Sequence, residues 1–261
     1  DTIAANMQEI HPTAFVAVPR VFEKIYTRII QNMEQEKPLK RKIFYWALEI
    51  GKQAATYTTQ NKTIPPLLAA KHKLADKLVF SKIQARTGGK LKFAVSGGAP
   101  LMRELAEFFF AVGINIYEGY GLTETSPVIC VNRPGATRFG SVGQQIEDVE
   151  VKIAEDGEIL ARGPNIMQGY FNNPTATAEV LNADGWFHTG DIGELDQDGY
   201  LRITDRKKEI IVMSNGKNVA PQPVENRLKT SALIEQAVMV GNNQKYMAAL
   251  IHPNFEKLEE K

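Results

Sequence analysis

A single cysteine, Cys130, occurs in a chain of 261 residues. That excludes an internal disulfide and fits a reducing compartment. With no matching histidine nearby, Cys130 is expected to be a small core residue and not a nucleophile. An excess of one charge is also missing, since 31 Lys and Arg stand against 30 Asp and Glu. Bulk charge therefore argues for neither a nucleic-acid partner nor an anionic membrane. No apolar run approaches the roughly 18 residues of a membrane span. The start, Asp1-Thr2-Ile3-Ala4-Ala5-Asn6, has neither the basic segment nor the apolar centre of a signal peptide. Repeats and low-complexity segments are lacking too. What is present is a hydrophobic content of 43%, ordinary for a globular core. The length allows one large domain or two smaller ones, and a cytoplasmic placement is expected.

The first part alternates strand and helix patterns. Phe15-Val16-Ala17-Val18 is a buried-strand candidate ended by Pro19-Arg20, and Val21, Phe22, Ile25, Ile29 and Met33 follow at helical spacing. Residues 38–86 are predicted helical almost throughout. One apolar stripe is Ile43, Trp46, Ala47 and Ile50, and a second is Leu67, Leu74, Leu78 and Ile83, with many lysines between. Two readings stand: a helical pair packed on a sheet with a solvated lysine face, or a basic amphipathic element at a membrane surface or fatty-acid tunnel. Leu91 to Val95 is a strand, Ser96-Gly97-Gly98-Ala99-Pro100 the loop at its end, and Leu101 to Val112 a helix with Leu105, Phe108, Phe109 and Val112 inward.

A further strand, Gly113 to Tyr117, leads into Tyr117-Glu118-Gly119-Tyr120-Gly121-Leu122-Thr123-Glu124-Thr125, read as a loop leaving the strand end. Glycines flanking Tyr120 let the backbone bend tightly and let a ligand come close. A ring, a hydroxyl and a carboxylate then follow: one can stack on a base, one can donate to a phosphate oxygen, one can hold Mg²⁺. The stretch suggests a nucleotide site, and a strand-exit turn around a buried Tyr is the alternative. The strand–helix–strand order sets this loop beside Gly97-Gly98, where open α/β sheets bind ligands.

Beyond residue 130 the pattern changes. Short β runs alternate with turn residues: Val149–Ile153 and Glu158–Arg162 around Asp156-Gly157, then Tyr200–Ile203 after Asp198-Gly199. Pro174 to Leu181 is a short helix. Asp205-Arg206-Lys207-Lys208 is read as a solvated joint between two strands. After it come a hairpin around Asn215-Gly216, a helix from Gln222 to Lys229, and β runs at 236–240 and 246–251.

Gly119-Tyr120-Gly121-Leu122-Thr123-Glu124 resembles the central motif of the adenylate-forming superfamily, which holds acyl-CoA synthetases, firefly luciferase and the adenylation domains of peptide synthetases. Three more stretches are similar to that family in the same order: Ser96-Gly97-Gly98-Ala99-Pro100-Leu101, Trp186-Phe187-His188-Thr189-Gly190-Asp191, and Asp205-Arg206-Lys207-Lys208. Val18-Pro19-Arg20-Val21-Phe22-Glu23-Lys24-Ile25-Tyr26 and the long helical section resemble the long-chain fatty acyl-CoA synthetases in particular. The resemblance implies an α/β fold. Residues 1–130 would be the distal part of the large N-terminal domain, 131–204 a β-rich subdomain, and 205–261 the start of the α+β C-terminal domain.

It also implies ATP, giving AMP, with Mg²⁺, a fatty acid and coenzyme A as reactants. Gly97, Gly98 and Ala99 would pack on adenine, as would Tyr120 beside Gly121. Thr123 would hold the α-phosphate, Glu124 the metal, Asp191 the ribose, and Arg206 the ribose or phosphate. Lys208 would assist, and Gly216 would line the pantetheine channel. His188 is expected to be structural. Asp205 would be the joint about which the C-terminal domain swings. Val212 stands where some relatives carry a lysine. A Ser/Thr/Gly-rich phosphate loop ending in Lys, and a catalytic Lys near the C-terminus, are family features with no counterpart in these residues. The chain is therefore expected to be part of a longer protein and inactive alone. Two other functions fit less of the pattern: an adenylating enzyme that loads a carrier protein, and a non-catalytic nucleotide- or partner-binding fragment.

Overall fold

The structure is a computed structural model that describes residues 3–231 and 233–259; Asp1 and Thr2, part of the start considered above as a signal peptide, lie outside the described residues. Contacts divide the chain into two compact units, Asp1–Glu147 and Asp148–Lys261.

In the first unit, α1 (Ile3–Ile10) precedes β1 (Ala14–Ala17), α2 (Pro19–Glu34), α3 (Pro38–Thr58), α4 (Pro66–Ala75) and α5 (Ser81–Ala85). Then come β2 (Phe93–Ser96), α6 (Arg103–Ala111), β3 (Ile116–Gly121), β4 (Val128–Val131) and β5 (Gln144–Gln145). The five strands form one sheet in chain order. β1, β2 and β3 run parallel, whereas β4 and β5 pair antiparallel. Pro19 starts α2 instead of ending the strand before it. A first-turn N–H has no intrahelical partner, so proline loses nothing there; Pro38 and Pro66 open α3 and α4 the same way.

The core lies between helices and sheet. Phe22, Phe44, Phe80, Leu105 and Phe109 are almost fully buried, and the rings of Phe22 and Phe109 meet edge-on at 5.9 Å. Gly51 lets α3 cross α6, because a Cβ there would overlap the Ala111 carbonyl. Of the second predicted stripe, only Ile83 faces inward. Leu67, Leu74 and Leu78 are exposed, while Ala75, Val79, Phe80 and Ile83 are buried. The helix is apolar on both faces, so spacing alone could not choose. A π turn at Asp76–Phe80 then adds a residue between α4 and α5 and rotates the buried face.

In the second unit, β6 (Glu150–Ile153), β7 (Glu158–Arg162), β8 (Phe187–Leu195) and β9 (Leu201–Arg206) make a four-stranded antiparallel sheet, with α7 (Pro174–Val180) between β7 and β8. Two antiparallel ribbons follow: β10 (Ile211–Val212) with β11 (Asn218–Val219), and β12 (Ile234–Val240) with β13 (Ala248–Pro253). α8 (Pro221–Lys229) lies between the ribbons in sequence and packs on β12, and α9 (Phe255–Glu259) closes the described chain. Glu225 of α8 accepts the Met239 N–H at 2.7 Å. β4 runs across position 130 and β9 across position 204. Each ladder holds its strand whole, and the compact units divide at 147/148.

Candidate functional site

The site residues of the first unit gather where β2 and β3 end. Ser96 pairs with Glu118 across the parallel ladder. Past Ser96 the chain turns through Gly98, whose φ is +79°, a value that favours glycine. Gly97 faces β3, where an added Cβ would lie at an ordinary 3.6 Å from the Gly119 carbonyl oxygen. Gly98 and Ala99 are exposed. The glycine loop and the Gly119–Glu124 motif thus lie side by side, as the strand order predicts.

The motif itself is not a loop. Tyr117 to Gly121 belong to β3, with Tyr120 buried and paired with Cys130. Neither flanking glycine has a positive φ. Gly121 is needed for a different reason: at the bulge between β3 and β4 its Cβ would overlap the Pro127 carbonyl. The expected tight bend is therefore corrected to a close strand approach. Gly121→Ala should destabilise the full-length protein by about 3 kcal/mol, as overpacking does. Gly119→Ala should cost far less, because its Cβ would meet Val131 Cγ2 at an ordinary 3.5 Å. Thermal melts of the two variants check this, and equal losses would contradict it.

Beyond Gly121 a single 3₁₀ turn, Thr123–Thr125, presents Thr123 exposed and Glu124 half-buried. The buried Thr125 pins that turn. Its Oγ1 accepts the Leu122 N–H at 3.0 Å and reaches the Pro127 carbonyl. Ser126 then takes a left-handed φ of +54°.

Glu118 was missed by the sequence reading, although it lies within the motif. It is 8% exposed and accepts the Leu101 N–H at 2.9 Å, strapping the glycine loop to β3. Burial pushes its carboxyl up to about 7, against the opposing pull of that N–H. Alternation along β3 points to an inward side chain at 118, but a charged residue type argues the other way.

The second unit carries the other candidates on β8 and β9. Asp191 pairs with Arg206 across the antiparallel ladder, and Arg206 Nε lies 3.5 Å from Asp191 Oδ1. Arg206 and Lys208 are exposed. Gly216, with φ +79°, sits between β10 and β11 with open space where a Cβ would go, and Val212 is 40% exposed. Asp205 is not solvated. It is 1% exposed, lies inside β9 opposite Ile192, and accepts the N–H groups of Arg206 (2.7 Å) and Gln222 (3.4 Å). Burial raises its carboxyl pKa. The polar joint begins one residue after the strand, in the exposed turn at 207–209.

A second carboxylate passed unnoticed. Glu158 is 4% exposed and meets His188 Nδ1 (3.0 Å), the Gly190 N–H (2.9 Å) and Lys207 Nζ (2.9 Å). Burial alone would raise its carboxyl, but hydrogen bonds from His188, Lys207 and Gly190 outweigh that and hold it low. His188 is thus tied to Glu158 through Nδ1. No group of three His, Cys, Asp or Glu side chains is placed to hold a metal among the described residues.

Comparison with known proteins places the chain as a whole. Residues 1–171 match the AMP-binding enzyme family, and residues 208–261 match the AMP-binding enzyme C-terminal domain. The chain belongs to the AMP-binding enzyme family. Among its relatives is the long-chain-fatty-acid–CoA ligase FadD15 of Mycobacterium bovis, 44% identical over 250 residues, covering 95% of this chain and 41% of that protein. The long-chain-fatty-acid–CoA ligase ACSBG1 of Homo sapiens is 36% identical, with 96% of this chain and 35% of that protein covered. The chain thus spans about two fifths or less of these AMP-binding relatives.

Solved structures agree. The O-succinylbenzoate coenzyme A synthetase MenE of Bacillus subtilis, in complex with AMP, is 30% identical with a TM-score of 0.58, over 63% of this chain and 37% of that one. The adenylation domain of a carboxylate reductase from Mycobacterium chelonae covers 100% of this chain and 37% of its own, with a TM-score of 0.65. At 21% identity that second likeness speaks for the AMP-binding fold alone.

Proposed function

We propose that the protein is a long-chain fatty acid–CoA ligase, of which this chain carries the distal part. The observation that carries the reading is the 44% identity to a long-chain-fatty-acid–CoA ligase over 95% of the chain. The paired loops at the ends of β2 and β3 support it. In the first half-reaction a fatty carboxylate oxygen attacks the α-phosphorus of ATP, and pyrophosphate leaves from an acyl-adenylate. In the second, the sulfur of coenzyme A attacks the acyl carbonyl carbon, and AMP leaves with the bonding pair.

Gly97, Gly98 and Ala99 would form one edge of the adenine slot and Tyr120 and Gly121 its wall. Thr123, exposed on its turn, would donate to the α-phosphate. Asp191 and Arg206 would take the ribose, the carboxylate accepting from the hydroxyls. Lys208 would add positive charge beside the phosphates, and Gly216 would leave room for pantetheine. Rotation between the half-reactions would occur directly after Lys207, because Asp205 is held in a ladder and Lys207 is tied to Gly190 and Glu158.

Glu124 fits Mg²⁺ as a hard oxygen donor on a half-buried turn. With no three-residue cluster among the described residues, the other ligands would be phosphate oxygens and water. Bound there, the ion would neutralise triphosphate charge. The test is to incubate the full-length protein with ATP, Mg²⁺, palmitate and coenzyme A. Equal yields of AMP and palmitoyl-CoA are expected; ADP in place of AMP, or no thioester, would refute the reading.

Charge is unevenly spread in a way that bears on the acyl substrate's source. Of the 31 basic and 30 acidic side chains, 13 and 2 lie between Lys37 and Lys92, leaving 18 and 28 elsewhere. On the run from α4 to α5, Leu67, Lys71, Leu74, Leu78 and Lys82 are exposed at helical spacing. No helix among the described residues is long and apolar enough to cross a membrane. This leucine–lysine stripe supports peripheral contact with an anionic lipid surface. The full-length protein should co-sediment with phosphatidylserine-containing vesicles and not with pure phosphatidylcholine vesicles. Lys71→Glu with Lys82→Glu should abolish the difference, and unchanged sedimentation would rule the contact out.

A further inference from the structure

We infer that Glu158 is a positioning residue that sets the Asp191–Arg206 pair by gripping the residue next to each. The inference rests on the reading of Asp191 and Arg206 as nucleotide ligands. Glu158 does not act on them directly. It accepts the N–H of Gly190, the residue before Asp191, at 2.9 Å. It also accepts from Nζ of Lys207, the residue after Arg206, at 2.9 Å. The backbones of those two neighbours are joined as well, since the Lys207 N–H donates to the Gly190 carbonyl at 2.8 Å.

Three features make this grip rigid. First, Glu158 is 4% exposed, and a buried carboxylate is costly unless its lone pairs are used. Donors from His188, Gly190 and Lys207 use them, so each is held in turn. Second, Gly190 has φ +74° inside β8, where the ladder with β7 is bulged and Glu158 holds it. No atom within 4 Å would obstruct a Cβ there, so the glycine serves the bulge and not a close approach. Third, the grip is braced from outside. Lys207 Nζ also meets Asp156 Oδ2 at 2.7 Å, and Asp156 Oδ1 accepts the Glu158 N–H at 3.2 Å. The β6–β7 turn, the Gly190 bulge of β8 and the end of β9 therefore converge on one carboxylate. Thr189 adds a parallel tie, its hydroxyl donating to the Ile159 carbonyl at 2.7 Å and accepting the Asp191 N–H at 3.2 Å.

The proposed exit of the mobile C-terminal part lies directly after Lys207. Gripping Lys207 keeps the near side of that joint fixed while the far side moves. Arg206 would then stay with Asp191 through both half-reactions.

The test uses the full-length protein and ATP–pyrophosphate exchange. Glu158→Gln removes the charge and offers Lys207 an amide. It should raise KM for ATP about ten-fold while kcat falls less than three-fold, roughly the pattern of lost ground-state positioning. The double variant Glu158→Gln/Asp191→Ala should be no worse than Asp191→Ala alone, since a residue acting through Asp191 has nothing left to position. Lys207→Met, an exposed position that leaves two donors on Glu158, should raise KM for ATP by a smaller factor. An unchanged KM for ATP in a folded Glu158→Gln protein, or additive losses in the double variant, would overturn the inference. Should Glu158→Gln fail to fold, Lys207→Met decides, and an unchanged KM there overturns it. If instead Asp191→Ala itself leaves KM for ATP untouched, the nucleotide reading of Asp191 fails, an outcome distinct from any failure at Glu158.

Discussion

Glu124→Gln in the full-length protein should lower fatty-acid-dependent ATP–pyrophosphate exchange by orders of magnitude. The reaction joins two anions, a carboxylate and a triphosphate, so charge neutralisation dominates its barrier. An amide oxygen is a poor substitute for a carboxylate toward a hard, reluctantly dehydrating cation. The turn that carries Glu124 should survive the change. Its Thr125 hydroxyl accepts the Leu122 N–H and pins it from a neighbouring residue. A thermal melt of the variant checks that it stays folded. Raising Mg²⁺ should recover part of the rate if the loss is one of metal affinity. Exchange within a few-fold of the parent would remove Glu124 from the metal role.

Glu118→Gln should stabilise the protein, and the gain should depend on pH. Burial raises the folded-state carboxyl to about 7, against 4.5 for the free group. The folded state thus holds its proton more tightly than the unfolded chain does. Stability from this group is complete below the unfolded value, declines as pH rises through about 7, and stays reduced above it. The difference corresponds to about 3 kcal/mol at alkaline pH. An amide cannot ionise, and its oxygen can still accept the Leu101 N–H. Glu118→Gln should melt well above the parent at pH 8 and beside it at pH 4. A variant that is less stable at pH 8 would show that the ionised carboxylate is needed at the end of β3.

Much of the first unit was legible because its periodicities are clean. Leu105, Phe108, Phe109 and Val112 are buried as their helical spacing requires. The loop after Ser96 falls where strand–helix–strand order puts it. The α4–α5 run failed because apolar residues cover both faces and a π turn shifts the register, which no fixed period can track. The GYG stretch failed for another reason. Glycine signals either a positive φ or a close approach, and composition alone favoured the first. Asp205 was misjudged because charge suggests solvent, whereas two backbone N–H groups make a buried carboxylate tolerable. Glu118 lies within the motif but was given no role, and Glu158 lies outside every motif. They support the candidate residues from behind, and their roles become visible only when distant segments such as 158, 190 and 207 are brought together.

The central claim is that the complete protein activates a long-chain fatty acid through an acyl-adenylate. ATP–pyrophosphate exchange without coenzyme A tests it most directly, because label returns to ATP only if the adenylate forms reversibly. The full-length protein should exchange labelled pyrophosphate into ATP when palmitate and Mg²⁺ are present, and should stop when palmitate is withheld or replaced by acetate. Exchange that is absent with palmitate, or that does not depend on the acid supplied, would contradict the account.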